Sequence, residues 1–221
     1  MIKGKNKRRE RLFAIVEKLK EIYPNAECAL EYGGDPWRLM VMGRLSAQCT
    51  DARVNEVSRV LFERFPTVTD MAAAPLSEIE DIIRPCGLYR MKAENIKEAS
   101  IMMLERFGGQ LPRTMDELLM LPGVGRKIAN LLLGDVFGED AVVTDTHCMR
   151  ICGRLGMYPE DLRDPYRIEL ILRELLPKGE GSDFCHRIVF FGRDVCRARS
   201  PLCEECRLSE LCHKYEREKN R

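Results

Sequence analysis

Several things that this 221-residue sequence does not have narrow what it can be. No apolar run approaches the roughly 20 residues that cross a bilayer, so a helical membrane protein is excluded and no membrane partner is expected. The first eleven residues are basic, yet no apolar stretch follows them as a secretory signal requires. Strand patterning is nearly missing, since Ala141 to Thr144 is too short to found a sheet. There is no internal repeat and no low-complexity linker. Net charge is missing too: the formal balance is +1, which does not describe a simple polycation.

What is present is helical periodicity. Arg9 to Glu21 sets Leu12, Ile15, Val16 and Leu19 on one face. Pro36 opens a helix to Arg44. Asp51 opens another to Phe65, with Val54, Val57, Val60 and Leu61 inward. Leu76-Ser77 starts Glu78 to Ile83, and Ala93 to Phe107 is stopped by Gly108-Gly109. Thr114–Met120, Arg126–Leu133, Thr146–Leu155, Tyr166–Leu176 and Ser182–Gly192 complete the set. The fold class is all-α. The charge is also unevenly placed: residues 1–20 carry +6 and residues 185–221 carry +3, leaving −8 for the middle. If the two ends meet in space they form one basic face, as nucleic-acid binding needs.

Three constellations carry chemistry. In Leu121-Pro122-Gly123-Val124-Gly125-Arg126-Lys127, Pro122 fixes one φ while Gly123 and Gly125 permit positive φ between two helices. Such a corner lets another backbone come close, and the amides at the start of its second helix suit a phosphate. Lys127 then stands at the positive end of a helix dipole, where a cation is misplaced unless it has a task. Asp145 follows a β-branched run and precedes a helix, the place of an N-cap. Cys196, Cys203, Cys206 and Cys212 are spaced C-x6-C-x2-C-x5-C. Four thiolates in one loop hold either zinc or a [4Fe–4S] cluster, and only Cys203 and Cys206 form the C-x2-C pair usual for structural zinc. Ten cysteines without a secretory signal point to a reducing, cytoplasmic setting.

Together with Leu45-Ser46-Ala47-Gln48, Gly87-Leu88-Tyr89, Lys92-Ala93-Glu94-Asn95 and Phe191-Gly192-Arg193, these motifs fall in one order. In that order the chain resembles the endonuclease III family of helix-hairpin-helix DNA glycosylase/lyases, from about residue 10 to 215. The resemblance implies two helical domains flanking a catalytic cleft. One is a six-helix domain, 29–139, with the hairpin at about 114–133. The other is 1–28 plus 140–221, closed by the cluster loop 196–212. Lys127 would stand on one wall of the cleft and Asp145 on the other.

The same resemblance implies base excision repair on duplex DNA holding damaged bases or abasic sites, by a monomer associated with the nucleoid. Oxidised pyrimidines are the expected targets. Lys127 would attack the sugar C1′, displace the base, form a Schiff base and permit β-elimination of the 3′ phosphate. Asp145 would manage the proton and the developing positive charge. Gln48 would meet the orphaned base and Leu88 would wedge into the stack. Gly123, Gly125, Arg126, Arg197 and Arg199 would meet phosphates. The four loop cysteines would hold a [4Fe–4S] cluster.

The other six cysteines, Cys28, Cys49, Cys86, Cys148, Cys152 and Cys185, read as small core fillers, and His147 reads as a structural hydrogen-bonder. Arg44, Ile128, Thr144 and Phe191 depart from the family pattern, three of them around the expected cleft. Two other readings are a non-catalytic DNA-binding iron–sulfur protein and a mismatch-directed glycosylase. The presence of Lys127 disfavours the second, and Lys127 with Asp145 disfavours the first, since binding alone requires neither.

Overall fold

The computed structural model describes the backbone of residues 2–220 and the side chains of residues 6–220. Lys3, Lys5 and Arg221, counted in the charge balance above, lie outside the described side chains. Helices carry the whole architecture, with no strand among the described residues. No described helix is long and apolar enough to cross a membrane.

The chain folds as two compact units, Cys28–Gly138 and Met1–Glu27 with Glu139–Arg221. The first holds α2 (Pro36–Leu45), α3 (Asp51–Arg64), α4 (Val68–Ala73), α5 (Leu76–Ile83), α6 (Tyr89–Phe107), α7 (Met115–Leu118) and α8 (Arg126–Asp135). Local chemistry sets most of these starts. The Asp35 carboxylate accepts the amides of Trp37 and Arg38, and Pro36 supplies a helical φ at the first position. Thr50 caps α3 and Thr114 caps α7. Thr67 and Asp70 form a reciprocal capping box on α4, a short helix the periodicity reading passed over. The core of this unit is built on α6, which packs against α2, α4 and α5.

One expectation fails on α3. Val60 is 54% exposed. The buried stripe is Val54, Val57, Ser58, Leu61 and Phe62, an i, i+3, i+4, i+7, i+8 pattern. Val60 lies off that stripe, and the polar Ser58 is on it. Being apolar does not place a residue inward when its angle is wrong.

The second unit holds α1 (Ile2–Ile22), α9 (Thr146–Arg154), α10 (Pro165–Leu175), α11 (Gly181–Asp194) and α12 (His213–Lys219). It gathers both ends of the chain: α1 packs on α10 and α11, and Arg207 pairs with Glu21. Leu12, Ile15, Val16 and Leu19 are all buried, as the periodicity predicts. Gly192 is a packing glycine, since a Cβ there would overlap His147 of α9. Cys148, Cys152 and Cys185 are buried in this unit and Cys86 in the other, whereas Cys28 and Cys49 are only half-buried.

Candidate active site and nucleic-acid interface

The hairpin corner is built as the sequence suggests at one glycine and differently at the other. Gly123 has φ +77, and a Cβ there would lie 2.8 Å from Arg44 Cδ and from Asn95 Cβ. Conformation and packing both require glycine. Gly125 has φ −91 and ψ 175, an extended backbone open to any residue. A Cβ there would meet nothing within 4 Å, so the expectation of positive φ at Gly125 is corrected. It is exposed, and neither the fold nor the backbone requires glycine at that position.

Gly125 is also the N-cap of α8, with no side-chain cap and no acidic residue in the first turn. Arg126 and Lys127 occupy that turn instead. Lys127 is exposed, and its side chain makes no ion pair or hydrogen bond among the described residues. The cation therefore stands against the helix dipole with nothing in its own unit to offset it. Ile128, the next residue, packs on Gly43 of α2, whose Cβ would lie 3.2 Å from its Cγ2. Arg44 lies against the hairpin, its Nε donating to Asn95 Oδ1 at 3.0 Å. Burial lowers its affinity for the proton from the ordinary guanidinium value.

In the other unit, Asp145 is the N-cap of α9. Its Oδ1 accepts the Cys148 amide at 2.7 Å, which leaves Oδ2 for other work. Thr144 beside it is buried.

Among the described residues, three non-glycines hold positive φ: Gln48 (55°), Leu88 (49°) and Ser200 (49°). Each costs about 1–2 kcal/mol of backbone strain. They fall in the three segments outside the hairpin where the family resemblance leads one to expect DNA contacts. Gln48 is exposed and ends the α2–α3 turn. Leu88 is 49% exposed at the start of α6. Ser200 lies among Arg197 and Arg199, both exposed.

The four loop cysteines line one cavity with Arg154, Leu155, Phe191 and Tyr215. Arg154, which the sequence reading missed, holds the loop from inside. Its Nη1 donates to the Arg197 carbonyl at 2.7 Å and lies 3.5 Å from Cys196 Sγ, and its Nη2 donates to the Ala198 carbonyl at 3.1 Å. Nothing separates this arginine by sequence from an ordinary cation in a last helical turn. Burial first, with mutual repulsion added, pushes the thiols of Cys203, Cys206 and Cys212 upward, Cys206 to about 11. A cationic centre shared by the four would remove both penalties. No three His, Cys, Asp or Glu among the described residues are placed to share a single metal ion. The four thiols line one cavity, and four thiolates are the ligand set of a [4Fe–4S] cluster.

Comparison with known proteins decides the family. Residues 41–178 match the family model described as the HhH-GPD superfamily base excision DNA repair protein. Residues 196–212, bounded by the first and last loop cysteines, match the iron-sulfur binding domain of endonuclease III. Endonuclease III from a Synechocystis strain is 45% identical over 93% of each chain. The chain belongs to the endonuclease III family.

Two solved endonuclease III structures superpose with a TM-score of 0.90 at 40% identity, over 96% of this chain. One, covered to 99%, is a non-covalent complex with DNA. The other, covered to 98%, is a trapped covalent intermediate with DNA. As a family member the chain is a bifunctional DNA glycosylase/AP lyase of base excision repair, with the helix-hairpin-helix glycosylase fold, a [4Fe–4S] cofactor and DNA as its partner. Of the four departures from the family pattern, Ile128 packs on α2 and Phe191 is 2% exposed in the sulfur-lined cavity.

Proposed function

We propose that Lys127 is the nucleophile, Asp145 its proton acceptor and electrostatic partner, and an oxidised pyrimidine in duplex DNA the base removed. The observation that carries this is the exposed, unpaired Lys127 in the uncapped first turn of α8, next to a glycine that the fold does not need. A covalent DNA intermediate has been trapped on a 40% identical relative, and an amine is the group here suited to forming one.

Lys127 Nζ bonds to C1′ of the flipped nucleotide as the base leaves with the glycosidic electron pair. Ring opening gives the Schiff base. Loss of a C2′ proton then expels the 3′ phosphate. Asp145 Oδ2 accepts a proton and faces the positive charge that grows on the sugar. Because Lys127 is exposed in its own unit, the bound DNA is what excludes water around it. One chain carries both groups, so it acts on the chromosome as a monomer.

Gln48 and Leu88 fill the place that the flipped base leaves, and the amides around Gly123, Gly125 and Arg126 hold a phosphate. Cys196, Cys203, Cys206 and Cys212 would hold the [4Fe–4S] cluster, whose contribution is to fold the loop that presents Arg197 and Arg199 to the backbone.

Borohydride trapping on abasic duplex tests the nucleophile. The chain as it stands gives a covalent adduct. Lys127→Gln gives none and nicks at least about 100-fold more slowly. Undiminished nicking by a folded, DNA-binding Lys127→Gln protein removes this mechanism. A release assay across duplexes carrying oxidised pyrimidines, oxidised purines and mismatches tests the base, with the first class released fastest.

A further inference from the structure

Lys92, in the first turn of α6, is a fully buried charged side chain, at 0% exposure. Its Nζ donates to three main-chain carbonyls, those of Leu45, Ala47 and Cys86, each at 2.8 Å. An ammonium has three N–H bonds, and all three are used. The receivers are carbonyl dipoles rather than a carboxylate, and burial lowers the amine's hold on its proton. Burying a cation in this way is expensive, and a methionine would occupy the same space without that expense. Packing alone does not account for it.

The three carbonyls share something else. Leu45 and Ala47 lead into Gln48, and Cys86 leads through Gly87 into Leu88. The two segments are about 40 residues apart in sequence, yet one nitrogen touches both. Each segment ends in a non-glycine held at positive φ, which persists only where the surroundings enforce it. Without the ammonium, three buried carbonyls turn toward one another and both turns lose their anchor.

We propose that Lys92 is a positioning residue whose ammonium clamps the Gln48 and Leu88 turns together into one rigid wedge for the DNA stack. This rests on the reading of Gln48 and Leu88 given above.

The test compares Lys92→Met, and the milder Lys92→Gln that keeps a donor, with Gln48→Ala and Leu88→Ala in the cluster-loaded protein. Release of an oxidised pyrimidine falls about tenfold in the Lys92 variants. Nicking of a ready-made abasic site falls less, because no base remains to be displaced. With 2-aminopurine opposite the lesion, the fluorescence rise on binding shrinks in the Lys92 variants, a change that lowered stability alone does not produce in folded protein. Adding Lys92→Met to the Gln48→Ala/Leu88→Ala double variant costs nothing further.

Full additivity there, or wild-type base release by a folded Lys92 variant, overturns the clamp while leaving the wedge reading intact. Unchanged release by Gln48→Ala and Leu88→Ala together overturns the wedge reading, and the clamp with it. A measurement on the unsubstituted protein is independent of how the variants fold. Amides 46–49 and 86–88 exchange hydrogen in one cooperative step with the start of α6, and separate exchange of the two turns overturns the proposal.

Discussion

Gly123 and Gly125 separate what a fold needs from what a ligand needs. Their spacing suggests one shared purpose, yet the fold requires glycine only at Gly123, and the purpose proposed for Gly125 is the phosphate. Gly123→Ala meets both a positive φ and the Arg44 and Asn95 side chains, and lowers stability by about 1–3 kcal/mol in denaturant unfolding. Arg44→Ala added to it recovers only the part of the clash that Arg44 makes, because Asn95 Cβ stays in place. Gly125→Ser is free of strain and offers a better cap. It unfolds no earlier than the parent, yet binds DNA about tenfold more weakly because its side chain takes the room a phosphate requires. Equal DNA affinity for Gly125→Ser would detach this residue from phosphate binding. Sequence shows that a glycine is there but not its φ. That depends on Arg44 and Asn95, which are remote in the chain and come close only through folding.

At the level of elements, two helix starts carry the proposed chemistry in opposite electrostatic senses. Asp145 caps α9 and suits its dipole, while Lys127 stands in the first turn of α8 against it. The consequences for stability are opposite. Asp145→Asn keeps an acceptor for the Cys148 amide and changes stability by under about 0.5 kcal/mol, whereas Asp145→Ala loses about 1 kcal/mol. Both lose base release, so activity and stability part company only in the Asn variant. Lys127→Gln raises stability by about 0.3–1 kcal/mol as it abolishes the adduct. Thermal unfolding beside single-turnover kinetics reads all three.

Most helices were legible because an apolar stripe or a helix-starting residue marks them, as in Leu12–Leu19 and at Pro36. Val68–Ala73 was legible in principle from Thr67 and Asp70, although six residues give periodicity too little to work on. The roles of Lys92 and Arg154 were not legible. Their partners are main-chain carbonyls, and a carbonyl leaves no trace in a sequence.

At the level of the molecule, both termini belong to one unit, the unit that also holds the sulfur loop. The charge gathered at the two ends is thus brought to one body, although the overall balance is only +1. Oxidative removal of the cluster tests how far that body depends on it. Cys196, Cys203, Cys206 and Cys212 become open to alkylation and the 196–212 segment becomes open to protease. Cys148 and Cys152 of α9 and Cys185 of α11, all buried, stay protected. Salt-sensitive DNA binding falls at the same time as the presentation of Arg197 and Arg199 is lost. Alkylation of all ten thiols at one rate would show that the cluster holds up the whole unit rather than its loop.

The contact between Ile128 and Gly43 limits how this enzyme can be altered. A branched side chain directly after the proposed nucleophile is accommodated because the facing residue, Gly43, has no Cβ. Protein engineers who exchange the neighbourhood of Lys127 with that of another glycosylase do best to exchange positions 43 and 128 as a pair. Shortening Ile128 alone leaves a void, and adding a Cβ at Gly43 alone makes Ile128 shift beside Lys127.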